Sequence, residues 1–201
     1  MGHPWTNIAA APAADVDGFL LSVDMKVGAY VLDAVVPTFG ARHVTCTRTA
    51  VGTADTPGTL VVVGKDLSGQ TITETLVVGA HGVLVTGTKF FASLASVTGA
   101  GWVIDGVEAT EDTITVGWDA QNAVATGSGT LHAIVVNTTA AGAIVIADAS
   151  GTIATIKASV AEGFIGPYDV AFSGFLRVEP AAASDITVIH SGSMPASYAL
   201  S

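Results

Sequence analysis

Two stretches decide the fold: GTLVVVGKDLSGQTITETLVV at residues 58–78 and GAIVIADASGTIATIKASV at residues 142–160. Each opens with an apolar run and turns at D-x-S-G (Asp66, Ser68, Gly69; Asp148, Ser150, Gly151). Each then leaves through a run rich in Thr and Ile. An Asp carboxylate accepts backbone N–H groups two residues on, and Gly supplies the positive φ that closes a type I turn with a bulge. A hairpin written twice predicts a β module present in two similar copies. Calcium at Asp66 or Asp148 would need more oxygen ligands than either turn carries, so both motifs are read as turn chemistry.

Outward from the hairpins, short apolar or alternating runs continue in both directions. In the first module they fall at 42–49, 59–65, 71–78, 83–86, 90–97 and 112–118. In the last of these Ile114, Val116 and Trp118 share one face, and Thr113 and Thr115 the other. In the second module the runs are 130–137, 142–147, 152–158, 165–172, 174–179 and 185–190. Both modules end alike, in DTITV from Asp112 and DITV from Asp185. Many short strands between closely spaced turns predict an all-β chain of two tandem, similar β-sandwich modules, Ig-like or jelly-roll-like. The expected division is an extended N-terminal arm at 1–40, a first module at 41–119, a linker at 120–129, a second module at 130–192 and a C-terminal tail at 193–201. The linker rests on the small polar run from Gln121-Asn122 to Thr126-Gly127-Ser128-Gly129.

The chain has 201 residues, of which 12% are charged and 50% hydrophobic. That is about half the usual charged share, so either a membrane or partner subunits are expected to cover apolar surface. Gly, Thr, Ser, Asp or Lys interrupts every run long enough to span a bilayer as a helix. A membrane barrel would need aromatic girdles, and aromatics are 6%. Assembly with other subunits is the remaining expectation. The net charge of −10, with seven scattered Lys and Arg, argues against direct nucleic-acid contact and against anionic membranes. The N-terminal sequence lacks the basic segment of a secretory signal. Cys46 is the one cysteine and reads as a small buried hydrophobe.

No G-x-S-x-G elbow, H-E-x-x-H helix or phosphate-cradling loop occurs. His3, His43, His81, His132 and His190 lie far apart in sequence; His43 and His132 each sit near the first strand of a module. Asp105, Glu108, Glu111 and Asp112 share one segment, read as a solvated acidic loop. Trp102 and Trp118 are read as core rather than as a sugar platform. Glu74 falls on the same strand face as Ile72 and Leu76. It is therefore expected to be exposed in the isolated chain or to lie at a subunit edge, with Arg42 or Arg48 as the rival ion-pair partners. No catalytic, cofactor-binding or metal-binding residue is assigned, no cofactor is expected, and the chain is read as a non-enzyme.

The phrases ARHVTCTRTAVGTADTPGTLVVVGKDLSGQTITETL, GTKFFASLASVTGAGWVIDG and DTITVGW, between Ala41 and Trp118, resemble structural proteins encoded in tailed-bacteriophage head-and-tail gene clusters. In the second module, GTLHAIVVNTTAAGAIVIAD and YDVAFSGFLRV are similar to the companion β domain of such virion proteins. The resemblance implies a virion β-sandwich protein assembled in the host cytoplasm. The expected role is a capsid decoration, or cement, protein on the outer head surface. Its partners would be the major capsid protein and copies of itself, as a homo-oligomer such as a trimer. A tail or head–tail connector protein is the alternative, and an extracellular carbohydrate-binding or adhesion module is the alternative of another class.

Overall fold

The computed structural model describes residues 5–8, 13–37, 40–51, 55–104, 111–182 and 184–193. The chain is all-β, with no helix among the described residues. Its strands in order are β1 (Trp5–Ile8), β2 (Asp15–Asp24), β3 (Gly28–Ala29), β4 (Ala41–Thr49), β5 (Thr59–Lys65), β6 (Thr71–Val77), β7 (Leu84–Phe91) and β8 (Ser93–Ala100). After them come β9 (Thr113–Thr138), β10 (Ile144–Asp148), β11 (Gly151–Ile156), β12 (Gly163–Ile165), β13 (Val170–Phe172), β14 (Phe175–Pro180) and β15 (Asp185–Ser193). Two compact units divide the chain. The first takes residues 13–66 and 70–120. The second takes residues from 121 onward, together with β1 and residues 67–69.

Among the described residues, eight strands build the first unit. They pair in the order β2-β9-β4-β7 and in the order β3-β8-β5-β6. Counted along the chain, the first strand therefore pairs with the eighth, the second with the seventh, the third with the sixth and the fourth with the fifth. This is a nested hairpin in which the β5–β6 turn is the tip. Its core mixes side chains from both strand groups: Phe19, Val44, Cys46, Ile114, Val116 and Trp118 from one, Leu60, Val62, Leu76, Leu94 and Val97 from the other. The alternation read in the sequence explains the choice of face. In β5, Leu60 and Val62 are buried and Val61 and Val63 are half-buried.

The second unit repeats the pairing. Its share of β9 pairs with β12 and β13 and with β15, β10 pairs with β11 and β14, and β1 pairs with β15. Strand for strand this is the first unit's scheme, with β1 in the place of β2 and residues 123–126 of β9, which pair with β14, in the place of β3. Ile134, Ile144, Ile146, Leu176, Val178, Ile186 and Val188 fill its core, and Ile8 of β1 is buried among them. The duplicated hairpins thus occupy matching places, with β5 and β10 each flanked on both sides and β6 and β11 each at an edge.

Three expectations need correction. Residues 120–129 are not a loop but the middle of β9: Ala123, Val124 and Ala125 are buried, and Ala123, Ala125 and Thr126 pair with Arg177, Leu176 and Phe175 of β14. The small residues there serve close approach rather than flexibility. A Cβ on Gly129 would stand 1.9 Å from the Ser191 carbonyl oxygen. Residues 1–40 are not one arm. β2 and β3 belong to the first unit, with Phe19, Leu20, Met25 and Tyr30 buried in its core, whereas β1 belongs to the second. β2 escaped the alternation test because its register on β9 slips twice, between Asp15 and Leu20 and between Leu20 and Val23. Finally, 83–86 and 90–97 divide at Ala92 rather than at 87–89. β7 runs through those residues with an irregularity, since His43 faces Phe90 while Thr45 faces Thr86. The tail beyond Ser193 lies outside the described residues.

Candidate functional site

The irregularity in β7 explains Glu74. The extra residues at 87–89 turn the N–H groups of Thr88 and Lys89 away from β4. The Glu74 carboxylate, reaching across from β6, accepts them at 2.6 and 3.3 Å, and accepts the Thr88 hydroxyl at 2.9 Å. Glu74 is half-buried on the side of Ile72 and Leu76. It does not take the rival ion pair with Arg42 or Arg48, and half-buried rather than fully exposed it is an acceptor for backbone groups that a strand irregularity left over. Arg42 instead donates to the carbonyls of Ala13 and Asp119.

Arg48 pairs with Asp112, its Nε 2.8 Å from Oδ2. Asp112 is fully buried, and its Oδ1 accepts the Val51 N–H at 2.9 Å. Its own N–H donates to Oδ2 of Asp55, also buried, at 2.7 Å. One end of the acidic segment is therefore an anchor for the entry to β9, not a solvated cluster. Asp105 and Glu108 lie outside the described residues. Trp102 and Trp118 are both core residues, Trp118 edge-on to Phe19 with ring centroids 4.8 Å apart. Burial pushes the Cys46 thiol up to about 12, so at neutral pH it is a protonated apolar filler and not a nucleophile.

His43, His132 and His190 are structural in the same sense. His43 Nδ1 lies 3.0 Å from Asp119 Oδ2, its ring against Phe90, and His132 Nδ1 lies 2.8 Å from Asp169 Oδ1. Each pair lies within one unit. His190, on β15, is fully buried, edge-on to Phe172 and 3.5 Å from the Thr6 hydroxyl. Burial first, and the charge of nearby His132 second, hold its imidazole down at about 4. Among the described residues no three His, Cys, Asp or Glu side chains converge as a metal site.

The repeated turns differ in reach. Asp66 accepts the Gln70 N–H at 2.9 Å, inside its own five-residue turn. Asp148 accepts the Ser150 N–H at 2.8 Å, but also the N–H and hydroxyl of Ser173 at 3.0 and 3.4 Å. Burial alone would raise the Asp148 carboxyl. The hydrogen bonds from Ser173, Ser150 and Gly151 outweigh it and hold the group below the usual carboxylate range. Gly69 and Gly151 both take positive φ, +79° and +134°, as the motif required.

Apolar side chains are exposed on both units among the described residues. Val16, Leu21, Val27, Val31, Val35 and Val36 are all exposed within one stretch of the first unit, Val31 to 84%. Val51, Val77, Val83 and Leu84 are exposed elsewhere on the same unit, and Phe164 and Val170 on the second. No helix among the described residues is long and apolar enough to cross a membrane. Comparison with protein-family models, curated proteins and solved structures found no match to this chain.

Proposed function

We propose that this chain is a structural protein of a tailed-bacteriophage particle, a capsid decoration protein that binds the outer face of the major capsid protein and bridges its subunits. The observation that carries the reading is the exposure of six apolar side chains along the stretch from Val16 to Val36, on a chain with 12% charged residues. Exposed apolar side chains in such density mark a contact surface rather than a solvated one. The role is mechanical: many copies, each holding weakly, add up through avidity on a symmetric shell. A net charge of −10 suits the outside of a shell that encloses DNA, since an acidic lining would repel phosphate.

The pairing scheme supports a finer description of the fold. Eight strands nested first-with-eighth to fourth-with-fifth, in two groups of four around one core, are the arrangement of a jelly-roll sandwich, a type that viral capsid domains use. We read the chain as two such modules, β9 serving both and supplying at 123–126 the second module's equivalent of β3. The buried positions of Trp102 and Trp118 speak against the carbohydrate-binding alternative, which would need aromatic faces in the open.

Sedimentation tests the reading. Purified protein is mixed with phage particles that lack it, and bound protein is separated by centrifugation. Binding that saturates at a fixed ratio to the major capsid protein, with a rise in the temperature at which shells release DNA, is the expected result. Binding to isolated tails alone would move the protein to the tail or connector, and no binding to either would overturn the proposal.

A further inference from the structure

β1 is placed differently from every other strand of its unit. It precedes the whole first unit in sequence, yet it pairs with β15 of the second, Trp5 to Ile8 against Ile189 to Ile186. Its counterpart β2 has ten residues and leads directly on to β3 and β4 of its own unit, with Phe19, Leu20 and Met25 buried behind it. β1 has four residues, and Ile8 is its buried anchor among the described side chains. Removing β1 from β15 would expose the free edge of a strand whose inward residues, Ile186 and Val188, are fully buried. Such an edge is a template for another strand.

We infer that the β15 edge is a strand-acceptor site that takes β1 of a second copy of this chain. A β1 from another copy has the same sequence and makes the same register and the same Ile8 contact, so exchange between copies costs no interaction that the single chain holds. Local separation of a four-residue edge strand lies at the cheap end of the opening motions of a fold. The inference stands on the strand order alone and does not depend on the phage reading.

Register-matched cysteine pairs test this on the full chain. Asn7 and Thr187 are directly opposed on β1 and β15. Opposed Cα atoms of an antiparallel pair lie roughly 4.5–5.5 Å apart, within reach of a disulfide. A chain carrying Asn7→Cys is mixed with a chain carrying Thr187→Cys under reducing conditions, incubated from micromolar to millimolar concentration, and oxidised. The expected product is a disulfide-linked heterodimer whose yield rises with concentration and well exceeds that from Asn7→Cys mixed with Ser150→Cys, which lies off this register. In the double variant Asn7→Cys, Thr187→Cys, linkage within and between chains should compete, the second gaining with concentration. Linkage confined to single chains in the double variant, with no heterodimer above the control, would overturn the inference. Absence of linkage in the double variant would overturn it as well, because β1 would then not occupy β15. Ile8→Asp added to the Asn7→Cys chain should abolish the heterodimer, while the far-ultraviolet spectrum reports whether the sheet persists.

Discussion

Asp112 and Asp185 open the closing strand stretches of the two units with nearly the same words, DTITV and DITV, and meet opposite fates. Asp112 is fully buried, held by Arg48 and by the Val51 N–H. Asp185 is half-exposed and accepts from the Asn137 amide at 2.9 Å. The contrast extends to what lies deeper. The first unit buries a carboxylate and pairs it with a partly exposed guanidinium beside the strand entry; the second buries a neutral imidazole, His190, against Phe172. One pairing scheme thus tolerates two solutions to the same problem, that a polar group near a closing strand must be paired or neutral. Strand order is set by the alternation of apolar residues, and the polar chemistry is fitted to it locally.

The largest expected effect sharpens this contrast. Asp112→Ala leaves Arg48 without its carboxylate and the Val51 N–H without its acceptor, and should cost about 3–5 kcal/mol. Asp185→Ala, at a half-exposed hydrogen bond, should cost about 1 kcal/mol. Urea unfolding of both variants measures the difference, and equal losses would break the comparison.

His190 gives the second unit a pH dependence. Its folded pKa, about 4, lies below the ordinary value of 6.5, so as pH falls the unfolded chain takes up the proton first. Stability from this group is therefore whole above about pH 6.5, declines down to about pH 4, and falls no further below that. The total loss is about 3 kcal/mol. His190→Gln should flatten that window in unfolding curves recorded against pH. An unchanged slope in the variant would assign the acid sensitivity to other groups.

Glu74→Ala removes the acceptor for the Thr88 and Lys89 N–H groups and should cost about 1–3 kcal/mol, the lower part applying if water replaces it. Hydrogen exchange at Thr88 should accelerate with the loss of its acceptor. The smallest effects separate the twin turns. Gly69→Ala, at φ +79° with open space around the new Cβ, should cost about 1–2 kcal/mol. Gly151→Ala, at φ +134°, should cost more, up to about 3 kcal/mol, because L side chains avoid that region more strongly. A reversed order would mean that the second turn relaxes more readily than the first.

The sequence made most of the strands legible because they obey period two. The runs at 42–49, 59–65, 71–78 and 185–190 correspond closely to β4, β5, β6 and β15. The D-x-S-G repeat marked two hairpins, β5–β6 and β10–β11, and both form with their outer strands at a sheet edge. What stayed hidden was long-range. β2 slips its register and loses its alternation, β9 runs through a Gly- and Ser-rich stretch that composition alone reads as linker, and β1 pairs with a strand about 180 residues later in the chain. Glu74 was legible as an inward carboxylate, but its acceptor role depends on the irregularity in β7, which no local pattern announces. Asp112 was assigned with its loop neighbours because the burial that separates it from them arises only when Arg48 and Asp55 arrive from other parts of the chain.

The most direct test of the central claim is the position of this protein on the particle, seen by electron microscopy of tailed-phage particles assembled with it and without it. The account predicts regular density on the outer head surface, placed over contacts between major capsid subunits and missing when the protein is omitted. Density confined to the tail or portal vertex, or particles identical with and without the chain, would contradict it.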